Sequence, residues 1–366
     1  MILATLNHPG TNTQMISVIS SLSEMRGLEP EWNRLGAQFD TPLLQFDWFC
    51  ACAESLHNEA DLRIFVYRYQ GRVKAIAPLV LRKHSLVNWL EIIGTTTLYE
   101  PAGLLYEDRE SLISLIKAII ASGYPSLFLR IPSVSPICEL LNRSAGHSAL
   151  TIKRPTAGSY YLSTNTNWDD FHAKIGKKWR ADFRNKSRRA EQIGTVKTEL
   201  DCPNKDQLPE LLRKAIDIEA QSWKGRQGSS LRDNNTLRNF FVNYTGRSCE
   251  KGIFRLFFFT LNEIPIAMNL GVEFANGIWF FKTGFNDEWS HVSPGMQLSM
   301  ETIKYAVTKN LDHYEFLGSE ENWQKAWPVQ SHGYYTLIIL PYSLRGIIGL
   351  SEIMIKFLAK KLFKTS

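Results

Sequence analysis

Two copies of one α/β unit are what this sequence predicts, and three observations carry the prediction. The first is a repeated hairpin. Residues 62–69 (LRIFVYRY), the turn Gln70-Gly71 and residues 72–81 (RVKAIAPLVL) read as two strands around a tight turn; residues 254–261 (FRLFFFTL), Asn262-Glu263 and residues 264–274 (IPIAMNLGVEF) read the same way. Placed without gaps, the segments match Arg63 with Arg255, Phe65 with Phe257, Tyr67 with Phe259, Gln70 with Asn262 and Ala75 with Ala267. The second observation is that helical periodicity with a tryptophan precedes each hairpin, over residues 31–57 and 208–223. The third is length: 366 residues suffice for two domains, each burying its own core.

Composition narrows the function classes. A formal net charge of +6 suits acidic ligands without requiring nucleic acid. The five cysteines, Cys50, Cys52, Cys138, Cys202 and Cys249, are odd in number and lack C-x-x-C spacing, which reads as reduced thiols in a cytoplasm. The histidines His172, His291, His313 and His332 form no i, i+4 or His-x-His pair, which speaks against a metal site or a catalytic dyad. No Gly-x-Ser-x-Gly motif points to a nucleophilic serine. The start of the chain lacks a basic and apolar leader, and no apolar run is long enough to span a bilayer, so a cytoplasmic protein is expected.

Residues 277–327 hold the strongest functional pattern. An aromatic strand, a polar loop closed by Ser293-Pro294-Gly295, an amphipathic helix from Met296 and a short strand at 314–317 follow in order. A helix N-terminus reached through such a loop presents free N–H groups to an anion, which places phosphate near Ser293, Gly295, Met296 and Gln297. Lys282, inside the aromatic strand, reads either as a snorkelling edge residue or as a phosphate or carboxylate contact.

Upstream, residues 168–194 read as one helix. Phe171, Ile175, Trp179 and Phe183 form its apolar stripe, with Lys177, Arg180, Arg184 and Arg188 on the adjacent face. That cationic face is either solvated or a wall for a phosphate-bearing ligand, because arginine forks match phosphate oxygens; a DNA-binding motif is absent. Glu219 stands one helical turn before Trp223, so an indole could flank a carboxylate able to act as a base. Residues 343–366 form an amphipathic basic helix: Ile347, Leu350, Met354 and Phe357 share a face, and Arg345, Lys356, Lys360, Lys361 and Lys364 supply cations. Docking on the protein body and peripheral contact with an anionic inner membrane are its two readings.

The ordered series KWRADFR (178–184) with Arg188-Arg189, IDIEAQSWKG (216–225), the second hairpin, FKTGFNDEWSHVSPG (281–295) and YEFLG (314–318) followed by Lys325 and Trp327 resembles GNAT-related acyltransferases of the CelD-like and BioF2-like type. These are relatives of the Fem-type peptidoglycan aminoacyltransferases. The resemblance is strongest over residues 168–327 and implies an α/β (α+β) fold of tandem GNAT-like domains, each a mixed, mostly antiparallel sheet flanked by helices. Residues 1–164 would be a degenerate first copy, 165–342 the copy with the active cleft, and 343–366 the basic helix.

In that family the fourth strand parts from the fifth, freeing strand edges for the pantetheine of an acyl-CoA while the following loop cradles its pyrophosphate. The resemblance makes acetyl-CoA or another acyl-CoA the co-substrate, held by Phe281, Lys282, Ser293, Gly295, Met296 and Gln297, and a small-molecule amine or amino sugar the acceptor. The family's usual loop signature, Arg or Gln followed after two residues by Gly-x-Gly or Gly-x-Ala, is absent here; only Gly295 is present, after Pro294. Glu219 and Glu315 are the candidate catalytic bases, and Arg180, Arg184, Trp223 and Lys325 the candidate substrate contacts. A Fem-like use of aminoacyl-tRNA, and a non-catalytic part in a polysaccharide biosynthesis machine, are the alternatives.

Overall fold

The computed structural model describes residues 2–6, 14–222, 226, 228 and 230–362, so Trp223, a candidate above, lies outside the described residues. Two compact units are present, residues 1–157 with 333–366 and residues 158–332.

In the first unit the strands are β1 (Ile2–Leu6), β2 (Gln14–Ile19), β3 (Ile64–Tyr69), β4 (Arg72–Ala77), β5 (Leu79–Lys83), β6 (Asn88–Ile92), β7 (Leu105–Tyr106), β8 (Ser126–Pro132) and the start of β9 (Ala149–Ser163). Its helices up to β9 are α1 (Leu22–Gly27), α2 (Glu29–Gly36), α3 (Phe46–Leu56), α4 (Thr95–Leu98), α5 (Arg109–Ala121) and α6 (Ile137–Ala145). One sheet runs β1-β2-β3-β4-β7, entirely antiparallel. The second strand of the expected first hairpin is in fact two strands. Pro78 has no N–H for a ladder, so β4 ends at Ala77 and β5 pairs instead with β6, which runs parallel to β8.

The second unit continues with α7 (Trp168–Lys174), α8 (Lys177–Ile193), β10 (Val196–Asp201), α9 (Leu208–Ala220), α10 (Asn235–Glu250), β11 (Phe254–Leu261), β12 (Ile264–Phe274), β13 (Gly277–Phe285), α11 (Pro294–Thr308) and β14 (His313–Glu315). Its sheet runs β10-β11-β12-β13-β14-β9, antiparallel except for the parallel pair β13 and β14. The helix α11 covers one face through a core of Phe257, Phe259, Phe280, Leu298, Ile303 and Tyr314. The chain then returns through β15 (Gln330–Pro341) to α12 (Leu344–Leu362) of the first unit.

The two hairpins agree in detail. Gln70 and Gly71 have φ of 51° and 77°, and Asn262 and Glu263 have φ of 50° and 67°, the two consecutive left-handed residues that a twisted hairpin turn requires. Tyr67 pairs with Ala75 and Phe259 with Ala267, the positions matched in the sequence. Each ladder then shifts register at the next residue, between Tyr67 and Arg68 and between Phe259 and Thr260.

The basic helix expected over 168–194 is broken. Ile175 adopts an extended conformation (φ −68°, ψ 130°) as it enters the core, and α8 starts afresh after Gly176. The break changes the phase of the stripe, so Phe171, Ile175 and Phe183 are buried while Trp179 is 37% exposed. The helix expected from Met296 starts two residues earlier, with Pro294 in its first turn, where a missing N–H costs nothing. The helix α10 and the strand β10 were not anticipated, although Asn234 caps α10 by accepting from the Leu237 N–H at 3.0 Å.

Candidate active site

The site begins with one extra residue in β13. Leu270 of β12 pairs with Lys282 and Gly271 with Phe280, so Phe281 is a bulge. A bulge bends its strand and disrupts pairing. On its other side β13 pairs with β14 only over Gly277–Trp279 against His313–Glu315. Beyond Glu315 the chain turns away through Leu317 (φ 54°) and Gly318 (φ 59°), closing the expected fifth strand two residues early. The strands therefore part after Trp279 and Glu315.

A pocket of about 320 Å³ is lined by the far end of β13 (Thr283, Gly284, Phe285), the first turns of α11 (Gly295, Met296, Ser299), and Ser222, Asn269, Glu321 and Trp323. Gly295 is needed for closeness, since a Cβ there would stand 3.1 Å from the Phe285 ring. Asn269 is 2% exposed, and its Nδ2 has no hydrogen-bond partner. A buried amide left unpaired is costly, and on a pocket wall it is a donor awaiting an acceptor. Glu321 accepts from the Trp323 indole N–H at 2.6 Å.

Glu219 is fully buried at the end of α9, where the absence of a Cβ on Gly284 lets the helix lie against β13. Its Oε2 accepts from the Leu231 N–H at 2.8 Å, and its Oε1, without a hydrogen bond, lies 3.7 Å from the Lys282 Nζ. The Lys282 ammonium also lies 5.5 Å from the Phe241 ring centroid. The bulge thus delivers Lys282 to a buried carboxylate rather than to solvent. Phe281 meets the Tyr244 ring edge-on at 5.2 Å.

Glu315, 4% exposed, forms a second pair. The His332 Nε2 lies 3.0 Å from its Oε1, and the Tyr161 ring stacks on His332 at 4.1 Å and 13°. Tyr161 in turn donates to the Gln330 Oε1 at 2.6 Å. The histidine spacing showed no pair; the structure brings His332 against Glu315, residues 17 apart in the chain, through strand neighbours that no local spacing reveals.

The expected phosphate cradle is thin. Ser293 caps α11 from a left-handed conformation (φ 51°), Pro294 has no N–H, and the Met296 and Gln297 amides both donate to the Ser293 carbonyl at 3.1 Å. The Gln297 side chain is spent on the Val292 carbonyl at 2.8 Å. Among the described residues, Gly295 keeps the first-turn N–H that has no partner.

Arg180 and Arg184 come together in a separate open groove of about 990 Å³, with Trp168, His172, Lys197 and Glu301. Neither arginine makes an ion pair among the described residues. Lys186 donates to the His291 carbonyl at 3.1 Å, tying α8 to the loop before α11. Lys325 is exposed in the turn Asn322–Ala326, where its Nζ lies 3.3 Å from the Asn322 Oδ1. The sequence reading missed Asn269, Ser222, Thr283, Glu321 and Trp323; a polar residue in the apolar run IPIAMNLGVEF was the one signal available for Asn269.

Residues 177–325, which contain the pocket beside β13 and the Glu219–Lys282 pair, match the family model of the acetyltransferase (GNAT) domain. Over these residues the chain is similar to a GNAT domain. Solved structures extend the likeness of fold beyond these residues. FemX aligns with a TM-score of 0.58 at 11% identity, over 87% of this chain and 97% of its own. The C-terminal domain of a putative lysylphosphatidylglycerol synthetase from Agrobacterium fabrum aligns with 0.53 at 10% identity, over 87% and 92%. A tandem GNAT protein from the clavulanic acid biosynthesis pathway aligns with 0.50 at 11% identity, over 90% and 98%. No curated protein matches the sequence. Among the described residues, no helix is long and apolar enough to cross a membrane.

Proposed function

We propose that the second unit transfers an acyl group, acetyl in the simplest case, from an acyl-CoA to an amine at the parted strands β13 and β14. The observation that carries this reading is the buried, unpartnered Asn269 amide on the wall of the pocket opened by that parting. A thioester donor supplies a carbonyl open to attack by nitrogen and a thiol as leaving group. The pocket suits its acyl end, where Asn269 donates to an oxygen as charge develops on it. The free edge of β13 suits the pantetheine amides. At the phosphate end the fit is limited to the Gly295 N–H.

Glu321 is the carboxylate on the pocket wall, and it takes the proton released as the amine becomes an amide. Glu219, held by Leu231 and Lys282, is a positioning residue: its carbonyl accepts from the Ser222 hydroxyl at 2.7 Å and so fixes another part of the wall. The Glu315 and His332 pair is a second proton acceptor beside the parted strands. Hydroxyl and amide groups beside the Trp323 indole suit a sugar ring, so amino sugars of envelope or exopolysaccharide biosynthesis are the acceptors to offer first. The experiment offers purified protein a panel of acyl-CoAs with amino sugars and other amines and reads free thiol. Donor-dependent thiol release that needs the amine supports the reading, and no binding or turnover with any acyl-CoA ends it.

A second reading, use of an aminoacyl-tRNA, draws on α8. Its Lys177, Lys178, Arg180, Arg184, Arg188 and Arg189 make no ion pair among the described residues, and the amide cradle is thin. Strongly salt-dependent RNA binding with no thermal stabilisation by CoA would favour it.

A further inference from the structure

We infer that α12 seats the protein on an anionic phospholipid surface. This helix is apolar on two sides, and only one is used internally. On the inner side Leu350 and Ile353 pack on Trp89, Ile338 and Leu340. Gly346 and Gly349 allow that approach, since a Cβ would fall 1.9 Å from the Pro341 carbonyl oxygen and 3.0 Å from the Pro125 ring. Glu352, the one acidic residue of the helix, is buried there. Its carboxylate accepts from the Trp89 indole at 2.8 Å and from the Leu86 and Val87 amides. Burial pushes its pKa up, but these hydrogen bonds outweigh burial and hold it below the ordinary carboxylate value.

The outer side repeats the apolar pattern without a cover. Leu344, Ile347, Met354, Ile355 and Leu358 recur at helical spacing and, with Phe357, are 54–75% exposed. The sequence put Leu350 on the same face as Ile347 and Met354; the structure divides them, Leu350 inward and the others outward. Six large apolar side chains this exposed on one element mark an interaction site.

Charge selects the occupant. With Glu352 turned inward, the described part of the helix exposes Arg345 and Lys356 and no acid, and the sequence continues with Lys360, Lys361 and Lys364. A second copy of the chain would bring the same cations together. An anionic bilayer surface instead satisfies both the apolar stripe and the lysines, with the helix lying in the interface rather than spanning it.

The test is flotation of the full chain with vesicles of phosphatidylcholine, with and without phosphatidylglycerol. Binding that requires phosphatidylglycerol, weakens about fivefold for Lys356→Ala and falls at least about tenfold for Ile347→Glu with Leu358→Glu is expected. Both glutamates replace exposed side chains, so an unchanged melting temperature should accompany the loss. Equal binding to both vesicle types, or none, overturns the proposal. So does a concentration-dependent dimer in sedimentation that the same double variant dissolves, because a second copy would then be the occupant. Vesicle binding is read without acyl donor or amine, so its outcome is independent of the proposed activity.

Discussion

Replacing Asn269 with leucine should move stability and activity in opposite directions. Asn269 is 2% exposed, and its Nδ2 is shielded from water with no acceptor in reach. An unsatisfied buried donor costs about 1–3 kcal/mol, and a near-isosteric apolar side chain removes that cost. The flanking pairs on the sheet are Phe257 and Thr283, so leucine meets a partly apolar setting. Asn269→Leu should therefore raise the stability of the second unit by about 1–2 kcal/mol, a rise of a few degrees in its melting temperature for a unit of this size. If the amide donates to the oxygen that gains charge during transfer, the same variant should slow turnover about 10²–10³-fold. Calorimetry and the thiol-release assay on one preparation read both effects. A destabilised variant would show that Asn269 is already satisfied in the folded protein. A stabilised variant with unchanged turnover would remove it from the chemistry.

Three further outcomes follow from the same geometry. Lys282→Met leaves the Glu219 carboxylate buried without its cation and should cost about 3 kcal/mol in urea unfolding, most of it recovered when Glu219→Gln is added; a double-mutant coupling near zero would refute the pairing. Gly284→Ala places a methyl 3.0 Å from the Glu219 Cα and should destabilise by about 1–3 kcal/mol, so a neutral melt would mean that α9 can slide outward. His57 is held neutral in the first unit by burial, then by the nearby Arg82, with its pKa lowered from 6.5 to about 4. The unfolded chain takes up this proton near pH 6.5 and the folded chain only near 4. Stability should thus be full above pH 6.5, fall by about 3 kcal/mol on acidification to 4, and level below. In His57→Gln that part of the pH dependence should vanish from the urea midpoints, and an unaltered profile would assign it elsewhere.

Local chemistry was legible, and long-range pairing was not. The turns at Gln70-Gly71 and Asn262-Glu263, the strands around them and the helix after Ser293 could be read because each depends on a few adjacent residues. Residues 168–194 misled because the four-residue recurrence of Phe171, Ile175, Trp179 and Phe183 fits one helix, whereas burial of Ile175 in the core broke the chain at Gly176. Pro78 was a visible stop, but the transfer of β5 to another sheet needed β6 to be seen. Glu219 was singled out as a candidate base, yet its complete burial and its lysine partner depend on the bulge at Phe281. The His332 and Glu315 pair had no local signature at all.

That bulge also sets parity. Because Phe281 is supernumerary, Lys282 and Gly284 face α9 while Thr283 and Phe285 face α11 and the pocket. Were Phe281 instead to pair with Leu270 in a regular ladder, everything after it would be re-phased: Lys282 would fall opposite Asn269 with its ammonium on the pocket side, a threonine would take its place on the α9 face, and Gly284 would no longer make room for the helix. One unpaired position in a strand of nine thus acts as a reading-frame marker for the whole site, and the same residues paired without it would turn the chemistry inside out.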